Sequence, residues 1–368
     1  AMRHGSRCRS AGLGSPPGPA AVSKWRRLPD FVAAGRRHAR LVAVAVGTMA
    51  ATLPGAIASG PAVASPRQGA VPPAPVMAYG GDFPDPHVLV VGGVYYAYST
   101  NVAGVNVPVM SSTDLVSWKA TSEALPPLPG WASPGRTWAP AVLARGGVYL
   151  LYYTLAQTST GRQCISVATA ASPAGPFRDT SSGPLVCQLD RGGSIDPYVF
   201  TDSGGSSYLL WKSDDNALGH RTSLWGRALA AGGVGFASFS SPVRLLSQTA
   251  AWQAPAIEGP AMIRSGSTYF LFYGANNWDS SSSAIGYATC SRPLGPCVDR
   301  STTGPWLASG PSGPGPVGPQ GPTVFSDTAG RLRLGFAAWN GPVGYAHGGV
   351  RALWTAPLSF VNGKPALG

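Results

Sequence analysis

Three acids in this chain stand in the same kind of place. Asp85 lies in "FPDPHV", Asp196 in "SIDPYVF" and Glu258 in "IEGPAM". Asp85 and Asp196 directly precede Pro86 and Pro197, and Glu258 stands one place earlier, before Gly259 and Pro260. Each pair opens a run of β-branched and aromatic residues. Proline fixes its own φ and keeps the preceding residue out of the right-handed helical region, so each acid is held in one orientation. Carboxylates brought together raise one another's pKa. Hydrolysis can use that: one carboxyl stays protonated and donates to a leaving group while another, ionised, activates water. The chain has only two glutamates, Glu123 and Glu258, so a sequence that otherwise avoids Glu places one here. Turn capping or Ca²⁺ binding is the alternative use of such acids.

The elements that must position these acids repeat. "DPHVLVVGGVYYAYS" starts at Asp85, "APAVLARGGVYLLYYT" at Ala139 and "DPYVFTDSGGSSYLLWKS" at Asp196. "GPAMIRSGSTYFLFYG" starts at Gly259 and "GPTVFSDTAGRLRLGFAAW" at Gly321. Each is an X-Pro pair, a short strand, a turn and an aromatic-rich strand, and a second recurring piece adds a third strand and part of a fourth. The starts lie 54, 57, 63 and 62 residues apart. Repeats of this size are blades. They predict an all-β fold, a five-bladed β-propeller over residues 79–368. An open β-sandwich would not need the same entry five times. The first strand of each blade lines the central channel, so acids at these entries point toward one axis.

Composition agrees with the all-β reading. Gly (49) and Pro (36) are abundant, and only 11% of the 368 residues are charged. The net charge of +12 does not describe a nucleic-acid surface, because residues 1–40 hold nine Arg or Lys and a single acid, Asp30. That basic stretch, the apolar run "LVAVAVGTMAATLPGAIA" and the small residues "AVAS" read as a leader and signal peptide over 1–64. An uncleaved single-helix anchor is the alternative. Residues 65–78 read as a Pro-rich linker. The mature protein is expected to be secreted, without stable membrane association, as a monomer. Cys164, Cys187, Cys290 and Cys297 remain after the leader, an even number suited to an exported domain. "CSRPLGPC" closes a short loop, so Cys290–Cys297 and then Cys164–Cys187 are the expected pairs, with free buried thiols as the alternative.

The four entries "FPDPHV", "WAPAV", "SIDPYVF" and "IEGPAM", in this order and at blade spacing, resemble glycoside hydrolase family 43, the five-bladed arabinofuranosidases, arabinanases and xylosidases. The resemblance implies that Asp85 is the general base, Asp196 the residue that tunes and orients the acid, and Glu258 the general acid. It implies inversion, with an arabinose-containing polysaccharide or oligosaccharide as substrate and exo action on α-L-arabinofuranosyl linkages. β-Xylosidase, endo-arabinanase and a carbohydrate-binding propeller without catalysis are the alternatives. Many members carry a histidine in the fifth entry that reaches a central metal ion. Here "GPQGP" puts Gly321 there, so no metal and no cofactor is expected, and a structural calcium is doubtful.

Sugar sites need flat apolar faces and hydrogen-bonding side chains. Trp138, beside the channel, is a candidate stacking platform or a core residue between blades. "YGANNWDSSSS" supplies Asn276, Asn277 and Trp278, or is a solvated loop. "WKSDDN" offers Lys212 and Asn216 to sugar hydroxyls, although Lys212 could instead pair with Asp214 or Asp215. His87, two residues past Asp85, reads as a core residue near the channel.

Overall fold

Alternating β-branched and aromatic residues around tight turns make each repeat a hairpin. The computed structural model describes residues 75–310 and 315–368. β1 (Val76–Tyr79) comes first and belongs to the last blade. Blade one is β2 (His87–Val91), β3 (Val94–Tyr98), β4 (Pro108–Ser112) and β5 (Lys119–Glu123); blade two is β6 (Ala132–Arg145), β7 (Val148–Gln157) and β8 (Gln163–Ala170). Blade three is β9 (Ser194–Thr201), β10 (Ser207–Ser213), β11 (Ser223–Ala228) and β12 (Val243–Ser247). Blade four is β13 (Ile257–Ser265), β14 (Thr268–Ala275), β15 (Ala284–Cys290) and β16 (Cys297–Asp299). Blade five is β17 (Val317–Ser326), β18 (Leu332–Asn340) and β19 (Val350–Val361), and β20 (Lys364–Leu367) extends the far half of β19. Every pairing between these strands is antiparallel.

The Gly-Gly turns explain the first two hairpins. Gly92 and Gly93, and Gly146 and Gly147, all have positive φ, as a two-residue turn matched to strand twist requires. The ring closes because β1 pairs with β19 and becomes the outer strand of blade five. Val76–Ala78, given to the linker by the sequence reading, are therefore part of the propeller. The leader, the signal peptide and linker residues 65–74 lie outside the described residues.

Blade two departs from the expected four strands. The stretch after β8 makes only isolated bridges, Thr169 with Arg178 and Ile165 with Val186. The Cys164–Cys187 disulfide fastens that stretch, and Cys290–Cys297 joins paired residues of β15 and β16, so both expected bonds form.

Blades are held face to face by apolar packing. Leu210 of blade three, Phe270 and Phe272 of blade four, and Leu334 and Phe336 of blade five belong to one buried cluster. Burial of each such side chain is worth about 1.5–3 kcal/mol. The polar ends of the inner strands are left to face the axis.

Candidate active site

A five-fold irregularity in the backbone builds the site. Asp85, Ala139, Asp196, Gly259 and Gly321 each precede a proline, and all five have φ between 43° and 60°. Two residues of β9 oppose one of β10 here, since Ile195 pairs with Lys212 and Tyr198 with Leu210. β13 does the same, with Glu258 opposite Gly274 and Ala261 opposite Phe272, as do β6 and β17. Each is a β-bulge that re-aims a side chain at the end of a strand. The left-handed conformation costs a non-glycine residue about 1–2 kcal/mol, so three of the five positions carry strain. Strain of this kind concentrates at functional sites. The five prolines and the five residues before them line one cavity of about 640 Å³ at the end of the channel. The bulge also explains the offset of Glu258: it occupies the place of Trp138 and Gln320, one step before the left-handed residue.

Asp85 is gripped on both oxygens. Oδ2 accepts from Thr100 Oγ1 at 2.6 Å, and Oδ1 accepts from Arg351 Nη2 at 2.7 Å. Each oxygen keeps a lone pair for a further donor. Thr100 Oγ1 also accepts from the N–H of Ala139 at 2.9 Å, which ties blade one to blade two. Arg351 comes from β19 and is buried. Burial opposes its charge, but Asp85, Tyr345 and Glu258 together outweigh that and hold the guanidinium above its ordinary pKa. Gly321 is required here, because a Cβ would lie 3.1 Å from Asp85 Cα and 3.2 Å from its Oδ1.

Glu258 is gripped by two other groups. Lys212 Nζ donates to Oε2 at 3.0 Å, and Gln320 Nε2 donates to Oε1 at 3.1 Å. Lys212 also donates to Asp214 at 3.3 Å. Burial would depress the pKa of Lys212, but the charges of Glu258, Asp196 and Asp214 win and raise it. Gln320 is buried, and its Oε1 has no partner. An unpaired buried acceptor costs about 1–3 kcal/mol.

Asp196 accepts the N–H of Gly259, the residue after Glu258, at 3.0 Å. Its own N–H donates to Thr154 Oγ1 at 3.1 Å. Desolvation in the cavity, and then the charge of Glu258, push its pKa up to about 8, against the pull of Lys212. Part of Asp196 stays open to the cavity, so this is the desolvation of a deep pocket rather than of a sealed core. The expectation from the family resemblance put the retained proton on Glu258. At Asp196 the surroundings favour the protonated form, while Lys212 pairs with Glu258 Oε2 at 3.0 Å.

The predicted sugar contacts divide. Trp138, Asn216 and Trp278 line the cavity. Trp278 is 40% exposed, lies nearly parallel to Trp339 with ring centres 6.4 Å apart, and has the Arg351 guanidinium 5.4 Å from its ring. Tyr345 completes that wall and donates its hydroxyl to Asp82 at 3.0 Å. Lys212 touches the cavity, but with its side chain 1% exposed it serves Glu258 and Asp214 rather than a free sugar hydroxyl. Asn277 is not among the cavity residues; its N–H is taken by Asn276 Oδ1 and its C=O by Ser280. Thr100, Gln320, Tyr345 and Arg351 were missed by the sequence reading. Only Gln320 carried a signal, standing one place before a repeated X-Pro entry.

Gly321 supplies no side-chain donor, and His87 donates Nε2–H to the Val142 carbonyl at 3.1 Å. Burial lowers the pKa of His87 to about 4, so it is neutral. Among the described residues no three His, Cys, Asp or Glu side chains gather to hold an ion.

A five-bladed propeller with three acids at one channel mouth defines a class, the propeller-based glycoside hydrolases. Residues 73–350 match the model of the glycosyl hydrolases family 43, and the chain belongs to that family. It is 26% identical over 220 residues to an extracellular exo-α-(1→5)-L-arabinofuranosidase of Cellvibrio japonicus, covering 52% of this chain and 58% of that protein's length. It is 28% identical over 301 residues to a probable arabinan endo-1,5-α-L-arabinosidase A of Aspergillus flavus, covering 77% of this chain and 90% of the relative. The crystal structure of a thermostable family-43 glycoside hydrolase superposes with a TM-score of 0.69 at 26% identity, over 78% of this chain and 92% of that one.

Proposed function

We propose that the protein is a secreted, monomeric α-L-arabinofuranosidase that removes terminal residues from arabinose-containing polysaccharides with inversion. The observation that carries this reading is the convergence of Asp85, Asp196 and Glu258, from blades one, three and four, on one cavity. Asp85 takes a proton from the attacking water, which bonds to the free lone pairs of its carboxylate. Glu258 gives a proton to the glycosidic oxygen as the bond to the anomeric carbon breaks. Asp196 fixes the backbone beside Glu258 and keeps one proton on the pair at neutral pH, so that Glu258 can be recharged after each turnover. Inverting pairs act in this single-displacement way.

Exo action is supported by the walls of the cavity. Val102 and Ala103, Gly135, Asn216, Trp278 and Tyr345 bring all five blades to the rim, as a pocket for a chain end requires. Both curated relatives described above are named for α-L-arabinose linkages, one exo and one endo. Among the described residues no helix is long and apolar enough to cross a membrane.

A side-by-side assay tests the reading, with an aryl α-L-arabinofuranoside, an aryl β-D-xyloside and linear arabinan. The expected result is turnover of the first and release of single arabinose units from the third. Faster turnover of the xyloside makes the protein a xylosidase, and mid-chain cleavage makes it an endo-arabinanase. Binding of arabino-oligosaccharides with no hydrolysis makes it a binding propeller.

A further inference from the structure

Gln320 lies where the sequence repeats place a blade entry, and its side chain does something the other entries do not. Its amide reaches across from β17 to β14 and lies over the Cα of Gly274, the residue that pairs with Glu258. A Cβ at Gly274 would fall on the amide of Gln320. From this seat Nε2 donates to Glu258 Oε1 at 3.1 Å, while Lys212 holds Oε2 at 3.0 Å. The other amide atom, Oε1, is buried with no partner. An apolar side chain would fill the seat without that orphan, so the amide is kept for what it holds.

We propose that Gln320 is a positioning residue for the general acid, seated by the missing side chain of Gly274. An amide carries both a donor and an acceptor. Nε2 donates to Glu258 Oε1, an oxygen that accepts whether the carboxyl is ionised or carries its proton on the other oxygen, while Gln320 Oε1 is turned away against Gly274. The carboxyl is thus held on the same line whether it has just given up its proton or is about to. This rests on the assignment of Glu258 as general acid. The two-residue glutamate content of the chain allows the contact to be tested apart from activity, since Glu123 and Glu258 are the only glutamates.

The experiment uses five proteins: wild type, Gln320→Met, Gln320→Ala, Gly274→Ala, and Gln320→Ala with Gly274→Ala. Circular dichroism first establishes that each is folded. Hydrolysis of phenyl and 2,4-dinitrophenyl α-L-arabinofuranosides is compared. Gln320→Met is expected to lower kcat on the phenyl glycoside about 10–100-fold, within the roughly 10²–10⁴-fold that a general acid supplies. The dinitrophenyl glycoside, which leaves without a proton, is expected to change less than about 3-fold, with KM unmoved. Gly274→Ala alone should reproduce this pattern by dislodging the amide, and should add nothing once Gln320 is already Ala. Equal losses on both leaving groups, or additive losses, overturn the proposal. In parallel, carboxyl-¹³C-glutamate spectra at fixed pH read the contact itself. The Glu258 resonance should move in Gln320→Met and Gly274→Ala while that of Glu123 stays. An unmoved Glu258 resonance overturns the proposal whatever the activity. If the resonance moves in the variants but the wild type hydrolyses no glycoside, the glycosidase reading falls, and with it Gln320 as a holder of a general acid, leaving a structural contact.

Discussion

The ammonium of Lys212 stands 3.0 Å from Glu258 Oε2, with only 1% of the lysine side chain open to solvent. A cation so placed is stable only because the carboxylates around it offset its lost hydration. Removing one partner of a buried pair costs about 3–5 kcal/mol. Lys212→Met is therefore expected to lower the unfolding free energy in urea by about 3 kcal/mol. Pairing it with Glu258→Gln should return part of that loss. A single variant as stable as wild type would mean that the pair is hydrated and weak.

Removal of either reacting acid should be distinguishable by leaving group. Asp85→Ala and Glu258→Ala are each expected to lower kcat by about 10²–10⁴-fold on a poor leaving group. On a dinitrophenyl glycoside Glu258→Ala should recover most of its rate, and Asp85→Ala should not. Equal inactivity of Glu258→Ala on both substrates would remove it from the acid role.

Asp196 couples folding to pH. Unfolded, it titrates near 3.8, and in the folded cavity near 8. Between these values the folded chain holds a proton that the unfolded chain has released. Stability contributed by this site is thus complete below about pH 4 and is lost as pH rises toward 8. Asn at 196 keeps an acceptor for the Gly259 N–H and has no proton to lose. The melting temperature of Asp196→Asn, minus that of wild type, should climb from pH 4 to 8 and level off above. A difference that does not change with pH would show that Asp196 is ionised throughout.

Gly321 has a φ of 60°, and a Cβ there meets Asp85 at 3.1 Å. Gly92 has a similar φ of 57° with open space around it. Both changes to Ala carry the left-handed cost of about 1–2 kcal/mol. Only Gly321→Ala should also displace Asp85 and lower kcat by about 10-fold or more. Equal activity in the two variants would mean that Asp85 has room to move.

What the sequence reveals and hides follows from the range of each contact. The blades, their order and the three acids rest on local signals, because an X-Pro pair and a Gly-Gly turn act within a few residues. The bulge that sets Glu258 one place early leaves no local trace beyond the offset itself. Arg351 and Gln320 from other strands, and Thr100 from the bend after β3, reach their acids at separations of 266, 62 and 15 residues. In "WKSDDN" Lys212 looks like a sugar ligand or a partner for Asp214 or Asp215 until β13 is laid against it. Val76–Ala78 look like linker because their pairing partner, β19, is the last long strand of the chain.

That late pairing sets an order of events during synthesis. Asp85 leaves the ribosome with the first blade, but the guanidinium that grips it, and the strand that receives β1, are made last. At about 5–20 residues per second, Arg351 follows Asp85 by roughly 13–50 s. For that interval the newborn chain has an open ring, a first strand without its partner and an acid without its counter-charge. The circle and the cavity are completed by the same stretch of polypeptide, so the chain acquires its chemistry at the moment it acquires its shape.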